Sequence, residues 1–420
     1  MSSAQRLVLV LNAGSSSIKY QLFDMPQTAG TLPESGSHSG PRTLAKGLLD
    51  RVGQADARLN YQRRLADGSW VDGLIAESAA NHAAGLALVA RALGECPALA
   101  DGQALYAVGH RVVHGGERFQ APTRITAEVV AGIRATIPLA PLHNPANLLG
   151  IEVSLEHLAD IPQVAVFDTA FHHSLPPHAY RYALPERLYL EHGVRRYGFH
   201  GTSHAYVARQ AAAMLGRPLS ALKLVTLHLG NGASVTAIDG GRSIDTSMGM
   251  TPLEGLVMGT RSGDLDPAIV LYLAREIGMD LDAVDVLLNK ESGLAGIAGS
   301  GDMREILARK AAGDIDAALA FELFCYRIRK YIGAYIAVLG RVDAIVFTGG
   351  IGEHASEVRE RVCSGLEGLG LRLDEGRNVS NERGGYAIQQ TSAAVALLVI
   401  PTNEELEIAL QTVAAVEAAG

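Results

Sequence analysis

A chain of 420 residues that is 48% hydrophobic and 19% charged can bury more than one core, so two domains or one duplicated domain are expected. The net charge of −8 argues against nucleic acid or an anionic membrane as the main partner; an anionic ligand would have to be held by local cations and backbone dipoles. Aromatic residues make up only 5% while glycine reaches 46 residues, a mix that suits α/β proteins with many tight turns. Cys96, Cys325 and Cys363 are far apart and odd in number, which indicates neither a disulfide framework nor a zinc cluster, and a reducing cytoplasm is the simplest setting. The opening MSSAQRLVLVLN has no basic segment before an apolar one, and the apolar run AAVALLVIP near the end is too short to cross a bilayer.

Residues 7–24, LVLVLNAGSSSIKYQLFD, read as two strands joined by a polar turn, with Lys19 just past it. A tight hairpin needs only two turn residues. Asn, Gly and three serines offer backbone N–H groups and hydroxyls, for which an anion is the natural partner. The stretch is not a P-loop, because G-x-x-x-x-G-K-[ST] is absent and no helix follows. A plain polar hairpin tip is the alternative. Residues 25–44, rich in Gly, Pro, Ser and Thr, read as a mobile surface excursion. Residues 77–95 fit a helix with an apolar stripe. ALYAVGHRVVHGG (104–116) reads as a strand running into a glycine turn, with Arg111 placed after a Gly-His turn. PANLLGIEVSLEHL (145–158) carries Pro near a helix start, where its missing N–H is harmless. VAVFDTAFH (164–172) reads as a buried strand ending in a carboxylate, Asp168.

The second half repeats the opening pattern. KLVTLHLGNGASVTAIDGGRSIDTS (223–247) predicts strand, Gly-Asn-Gly turn, strand, Gly-Gly turn, strand. Residues 314–340 predict a long helix, leading into the strand DAIVFTGG, a glycine turn and the helix SEVRERVCSGLEGL. The final TNEELEIALQTVAAVEAA predicts a helix capped at Thr402 or Asn403, with acidic residues in its first turn. Two hairpin-then-helix halves suggest two similar lobes gripping a ligand in a cleft by their polar turns.

Arg111 and Arg261 (in GTRSGDLDPAI) sit among glycines, where an arginine packs a core poorly and reaches a ligand well; a surface ion pair is the alternative for either one alone. His200 lies beside Phe199 in YGFHGTSH. His200 and His204 have the i, i+4 spacing of a helical metal pair, but the Glu of H-E-x-x-H is missing and Gly201 intervenes, so a histidine donating to an oxyanion fits better than zinc. FTGGIGEHASEV nearly matches the dinucleotide fingerprint, with Gly350-x-Gly352-x-x-Ala355 and Asp374 about 20 residues on. It comes late in the chain rather than opening a βαβ unit, and a glycine turn at a helix start serves an adenosine and its phosphates equally well.

Together the stretches LNAGSSSIKY, GHRVVHGGE, APLHNPANL, VFDTAFH, RRYGFHGTSH, HLGNGASV, DTSMGMTPLEGLVMGTRSGDLDP, KESGL, VFTGGIGE and IPTNEEL resemble the acetate kinase (acetokinase) family of the actin, Hsp70 and sugar-kinase superfamily, in the family's order. The resemblance implies an α/β fold of two duplicated ribonuclease-H-like lobes around a cleft. These would be residues 1–170 plus 404–420, on the acyl and metal side, and residues 171–403, which would bind nucleotide and form a homodimer contact. It implies that ATP and acetate are converted to ADP and acetyl phosphate. Asn12 and Glu404 would help hold Mg²⁺, with Mn²⁺ as an alternative, and Lys19 would lie at the nucleotide phosphates. Arg111 and Arg261 would grip the carboxylate and the migrating phosphoryl. Asp168 would be the acidic active-site residue, and His200 would stabilise the transition state with His143 close by. His228, Leu229, Gly230, Asn231 and Gly232 would cradle the ATP phosphates. Asp302, Met303 and Arg304 would flank the adenine, as would Gly350, Ile351, Gly352, Glu353 and His354. Val113, Leu142, Phe199 and Pro252 match the small pocket for the acetate methyl. Val113 favours acetate, with some propionate turnover, because each methylene is discriminated by only ~1–3 kcal/mol.

The physical chemistry agrees with these roles. A carboxylate with an ordinary value near ~4 is already ionised at neutral pH and needs no general base. The difficulty is repulsion between two anions, so catalysis is alignment plus charge neutralisation. Asp168 therefore reads as the anion that orients an arginine. Two positions depart from the family pattern: Met303, where an aromatic or Cys is common, and His354–Ala355, where Asn with Ala or Ser is usual. The choice of nucleotide base rests on them. Two other classes stay in view. A non-catalytic or ATPase-only relative would lack the paired arginines and methyl pocket, and a nicotinamide oxidoreductase would use the Gly350 turn.

Overall fold

The computed structural model describes residues 6–14, 16–26, 40–100, 104–380, 382 and 384–419. Ser15 of the first polar turn, and residues 27–39 of the 25–44 stretch, lie outside the described residues. The chain divides into two compact units, Met1–Ala170 with Asn403–Gly420, and Phe171–Thr402.

The first unit is built on one sheet, with these strands among the described residues: β1 (Arg6–Ala13), β2 (Ser17–Met25), β3 (Arg42–Asp50), β4 (Arg58–Arg64), β5 (Trp70–Ile75), β6 (Ala107–Val112), β7 (Thr123–Arg124) and β8 (Gln163–Phe167). Their order is β5-β4-β3-β2-β1-β6-β8-β7. β1 to β5 form an antiparallel meander, while β6 and β8 run parallel to β1. β1 is apolar at nearly every position because both of its faces are covered. Leu7, Leu9 and Leu11 join one core cluster with Ile18, Leu49, Leu88 and Val89. Val8 and Val10 join another with Ile408, Ala409 and Val413. Each such aliphatic side chain contributes about 1.5–3 kcal/mol when fully buried. The Glu404–Ala418 helix thus closes the first unit from the far end of the sequence.

Arg111 lies within β6 and not after a Gly-His turn as its glycine neighbour suggests. Gly109 is there for close approach: a β-carbon on it would lie 2.4 Å from Thr412 Oγ1 and 2.9 Å from Ile408 Cγ2 of the closing helix. Likewise, the end of the 25–44 stretch is not excursion but the start of β3, which pairs with β2.

The second unit repeats the plan with β9 (Lys223–Leu229), β10 (Ala233–Asp239), β11 (Arg242–Thr246), β12 (Ala344–Thr348), β13 (Tyr386–Ala387) and β14 (Ala396–Val399), in the order β11-β10-β9-β12-β14-β13. The sequence β11-β10-β9-β12-β14 matches β3-β2-β1-β6-β8 in order and direction: an antiparallel three-stranded meander followed by two strands parallel to its first. The Gly201–Met214 helix packs beside β9 and β12, and the 25-residue Ile315–Leu339 helix, capped by Asp314, packs on β9 and β10. The GGIGEH segment differs from the expected turn. Residues Gly349–His354 are themselves a short helix, broken at Ala355 before the Ser356–Cys363 helix begins. No helix among the described residues is long and apolar enough to cross a membrane.

Candidate active site

In the first unit, Asn12, Arg111 and Asp168 lie at the C-terminal ends of three adjacent parallel strands, the place where open α/β sheets hold ligands. Asp168 follows β8 and donates its backbone N–H to Val112 O at 3.0 Å. Its carboxylate takes a two-pronged grip from Arg111, with Nε to Oδ1 at 3.0 Å and Nη2 to Oδ2 at 2.6 Å. Arg111 Nη1 donates to Asn12 Oδ1 at 3.4 Å, and Glu404 Oε2 lies 4.0 Å from Arg111 Nε. One guanidinium is therefore ringed by three oxygen-bearing side chains. Burial pushes the Asp168 carboxyl up, while Arg111 pulls it back. Burial also works against the charge on Arg111, but Asp168 and Glu404 outweigh it and hold the guanidinium firmly protonated. His143, which precedes the Asn144–His157 helix, faces Asp168 electrostatically.

Glu404 opens the closing helix behind its N-cap Asn403, where a negative charge is favoured by the helix dipole. Its neighbour Glu405 is buried and pairs with Lys19 Nζ at 2.7 Å. The polar turn after β1 is tied down from below. Asn147 Nδ2 donates to Ala13 O and His82 Nε2 donates to Gly14 O, both at 2.6 Å. Two buried asparagines in APLHNPANL also fix the turn after β6: Asn147 Oδ1 accepts the N–H of Val113, and Asn144 Oδ1 that of His114. Val113 is buried, whereas Leu142 is exposed.

In the second unit, the Gly230–Gly232 turn joins β9 to β10, with Gly230 N donating to Gly232 O at 3.0 Å. His200 precedes the Gly201–Met214 helix at φ 56°, in the left-handed region that costs a non-glycine residue about 1–2 kcal/mol. Its ring stacks on His228 with centroids 4.2 Å apart. A β-carbon on Gly232 would lie 3.5 Å from Arg261 Nη1 and 3.6 Å from His200 Nε2, so both groups converge over this turn. Phe199, just before, is buried and its carbonyl accepts from His172 Nε2. Arg261 Nη1 donates to Pro252 O at 3.1 Å, which brings the predicted Pro252 to the same place. Burial pushes the Arg261 guanidinium down, and among the described residues no carboxylate lies within 4.0 Å of it. A half-buried cation without a protein anion is a candidate for binding an anionic ligand.

The loop carrying Arg261 is braced by groups that sequence reasoning missed. Arg196 Nη1 donates to the carbonyls of Thr246, Ser247 and Met248 at 3.0–3.1 Å, and its Nη2 to Glu254 at 2.5 Å. Glu254 also accepts from Tyr182, and Asp264 accepts the N–H of Gly255 and the hydroxyl of Tyr331 at 2.8 Å each. A polar run inside a glycine-rich loop was the available signal.

Beside this lies a cavity of about 470 Å³, within the usual size of a small-molecule site. Gly230, Asn231, Asp302, Met303, Arg304, Gly350, Ile351 and His354 line it. Asp302 caps the Met303–Ala311 helix and pairs with the exposed Arg304. Leu229 and Gly352 are buried behind the lining. The Glu353 carboxylate turns inward, accepting the N–H groups of Gly349 at 2.9 Å and Thr402 at 3.2 Å.

One sheet plan present twice, an antiparallel meander followed by two strands parallel to its first, is the ribonuclease-H-like lobe of the actin-like ATPase fold. The acetokinase family profile matches residues 7–410. A Syntrophobacter fumaroxidans protein named acetate kinase is 53% identical over 98% of each chain, and a Streptomyces coelicolor acetate kinase 52% identical over 100% of this chain and 99% of its own. Among solved structures, Porphyromonas gingivalis acetate kinase superposes with a TM-score of 0.86 at 41% identity, covering 98% of this chain and all of its own. A Francisella tularensis propionate kinase gives 0.85 at 39%, covering 97% and 98%. The chain belongs to the acetokinase family and is a kinase.

Proposed function

We propose that the chain is an acetate kinase, transferring the γ-phosphoryl group of ATP directly and reversibly to acetate to give acetyl phosphate and ADP. The Arg111 guanidinium carries this reading: Asp168 holds its Nε and Nη2 edge, Glu404 stands 4.0 Å from that same Nε, and the outer edge, where Nη1 meets Asn12 Oδ1 at 3.4 Å, is left to meet an anion. Such a fork matches a carboxylate or a phosphoryl group. Acetate arrives ionised, so Asp168 has no proton to remove and serves to orient Arg111. Arg261 and His200 supply the positive and donor groups for the phosphoryl in flight, and the 470 Å³ cavity takes the adenosine. In-line transfer requires the acyl group and the phosphoryl to meet with water excluded.

The residues present fit a magnesium ion, with manganese as an alternative. Asn12 and Glu404 bring an amide and a carboxylate oxygen to the neighbourhood of the same guanidinium, and a hard cation of this kind would take one or two such protein oxygens plus phosphates and water. When bound, it supplies neutralisation of the phosphate charge. Three cysteines, odd in number and far apart in the sequence, are the ground for assigning the chain to a reducing cytoplasm.

A hydroxylamine trap for acyl phosphate tests the function, with acetate, propionate and butyrate each paired with ATP, GTP and pyrophosphate. The strongest hydroxamate signal is expected from acetate with ATP, a weaker one from propionate. No hydroxamate from any pair would overturn the reading. We also infer a homodimer formed through the second unit. Ile315, Leu319 and Tyr326 form an exposed stripe along the Ile315–Leu339 helix, and Leu271, Tyr272 and Leu281 add further exposed apolar surface. Sedimentation should give twice the chain mass for the native protein and the chain mass for Leu319→Asp; a native monomer would refute it.

A further inference from the structure

Three buried side chains behind His200 form a single line of hydrogen bonds. His200 Nδ1 meets Ser234 Oγ at 2.9 Å, Ser234 Oγ meets His204 Nε2 at 2.8 Å, and His204 Nδ1 meets Thr226 Oγ1 at 2.7 Å. Ser234, His204 and Thr226 are all fully buried. The line begins on β9, crosses the Gly201–Met214 helix and returns to β10, so tertiary packing assembles it.

The proton positions follow from the far end inward. Among the described residues, Thr226 Oγ1 has His204 Nδ1 as its hydrogen-bond partner, so its buried hydroxyl proton goes there. Burial, with His172 and His228 nearby, holds His204 neutral. With Nδ1 accepting, its one proton sits on Nε2 and is donated to Ser234 Oγ. The Ser234 hydroxyl then donates its own proton to His200 Nδ1. A His200 ring that accepts at Nδ1 carries its proton at Nε2, the edge that converges with Arg261 over Gly232.

We propose that Thr226, His204 and Ser234 are positioning residues that set the tautomer of His200, presenting a neutral imidazole with an Nε2–H donor to the transferred phosphoryl group. This rests on the kinase reading for its purpose but not for its existence. A donor fixed in advance needs no proton rearrangement at the moment of transfer, and it orients the ring as well. The line also helps to hold His200 in its left-handed backbone conformation, because the ring is anchored to β10 independently of the helix it precedes.

Two measurements test it. Long-range ¹H–¹⁵N spectra of the ligand-free native chain, with the His200 signals identified by their loss in His200→Gln, should show a protonated Nε2 and a bare Nδ1. A proton on Nδ1 in the neutral ring would overturn the proposal, whatever the enzyme's activity. Kinetically, Ser234→Ala should lower kcat about 10- to 100-fold with KM for ATP little changed, the range seen when the outer hydrogen-bond partner of a metal-bound histidine is removed. His204→Gln, which keeps an amide facing Ser234, should recover most of the loss suffered by His204→Phe. A Ser234→Ala variant as active as the native chain would also overturn it. If the native chain forms no acyl phosphate while His200 shows the Nε2–H tautomer, the kinase reading fails and the relay stands.

Discussion

Arg111→Ala is expected to reduce kcat at least about a hundredfold and to destabilise the first unit at neutral pH. The catalytic loss follows from removing a donor aimed at developing charge, worth roughly 2.7–4 kcal/mol when one such group is lost. The stability loss has a separate cause. Asp168 is 1% exposed and would lose its ion-pair partner, a change that costs about 3–5 kcal/mol when a buried pair is broken from one side. Without Arg111, burial and the Glu404 charge would raise the Asp168 carboxyl further above its unfolded value, against a smaller pull from His143. A raised carboxyl favours the fold while protonated, so the deficit should grow as pH rises through the carboxyl range and shrink on acidification. Combining Arg111→Ala with Asp168→Asn should restore much of the stability and none of the activity. Denaturant melts at two pH values and the hydroxamate assay measure both. A single variant with native kcat would remove Arg111 from the mechanism. A double variant no more stable than the single one would refute the ion-pair argument.

Arg261→Ala should separate the two effects in the opposite way. Its guanidinium is half-buried, donates to Pro252 O, and has no carboxylate within 4.0 Å among the described residues. Removing a desolvated cation that lacks a protein anion leaves no charge stranded, so the melting temperature should stay level or rise. Turnover should still fall by about a hundredfold or more, because the phosphoryl loses a cation at the point where His200 also converges. Acetyl phosphate should raise the melting temperature of the native chain and do so less for the variant. Equal ligand stabilisation of both would place the anion elsewhere. The two arginines, similar as letters among glycines, thus have opposite predicted stability signatures.

Much of the fold was legible because it depends on local patterns. Strand boundaries at β1, β2, β9 and β10 follow from alternating or continuous apolar runs interrupted by Asn-Ala-Gly and Gly-Asn-Gly, and TNEEL narrows the last helix's cap to Thr402 or Asn403, of which the structure uses Asn403. Gly109 and His110 suggest a turn before Arg111 because the reason for Gly109, the close approach of Thr412 and Ile408, lies about three hundred residues downstream. GGIGEH hid a helix because glycine is a poor helix former; Glu353 compensates by accepting the N–H of Gly349. At the site, charged residues in motifs were identifiable one by one. The Thr226–His204–Ser234 line was not, since none of those letters is unusual and only the folded packing brings them together.

The closing helix has a consequence for how the molecule is made. Val8, Val10, Val164 and Val166 are covered by Ile408, Ala409 and Val413, so one side of the N-terminal sheet stays wet until residues 408–413 have been made. Glu404 arrives with the same helix, so the Arg111 centre lacks that carboxylate until the helix has been made. A nascent chain stalled before residue 403 would present that bare valine surface to chaperones and could not yet complete the Arg111 centre.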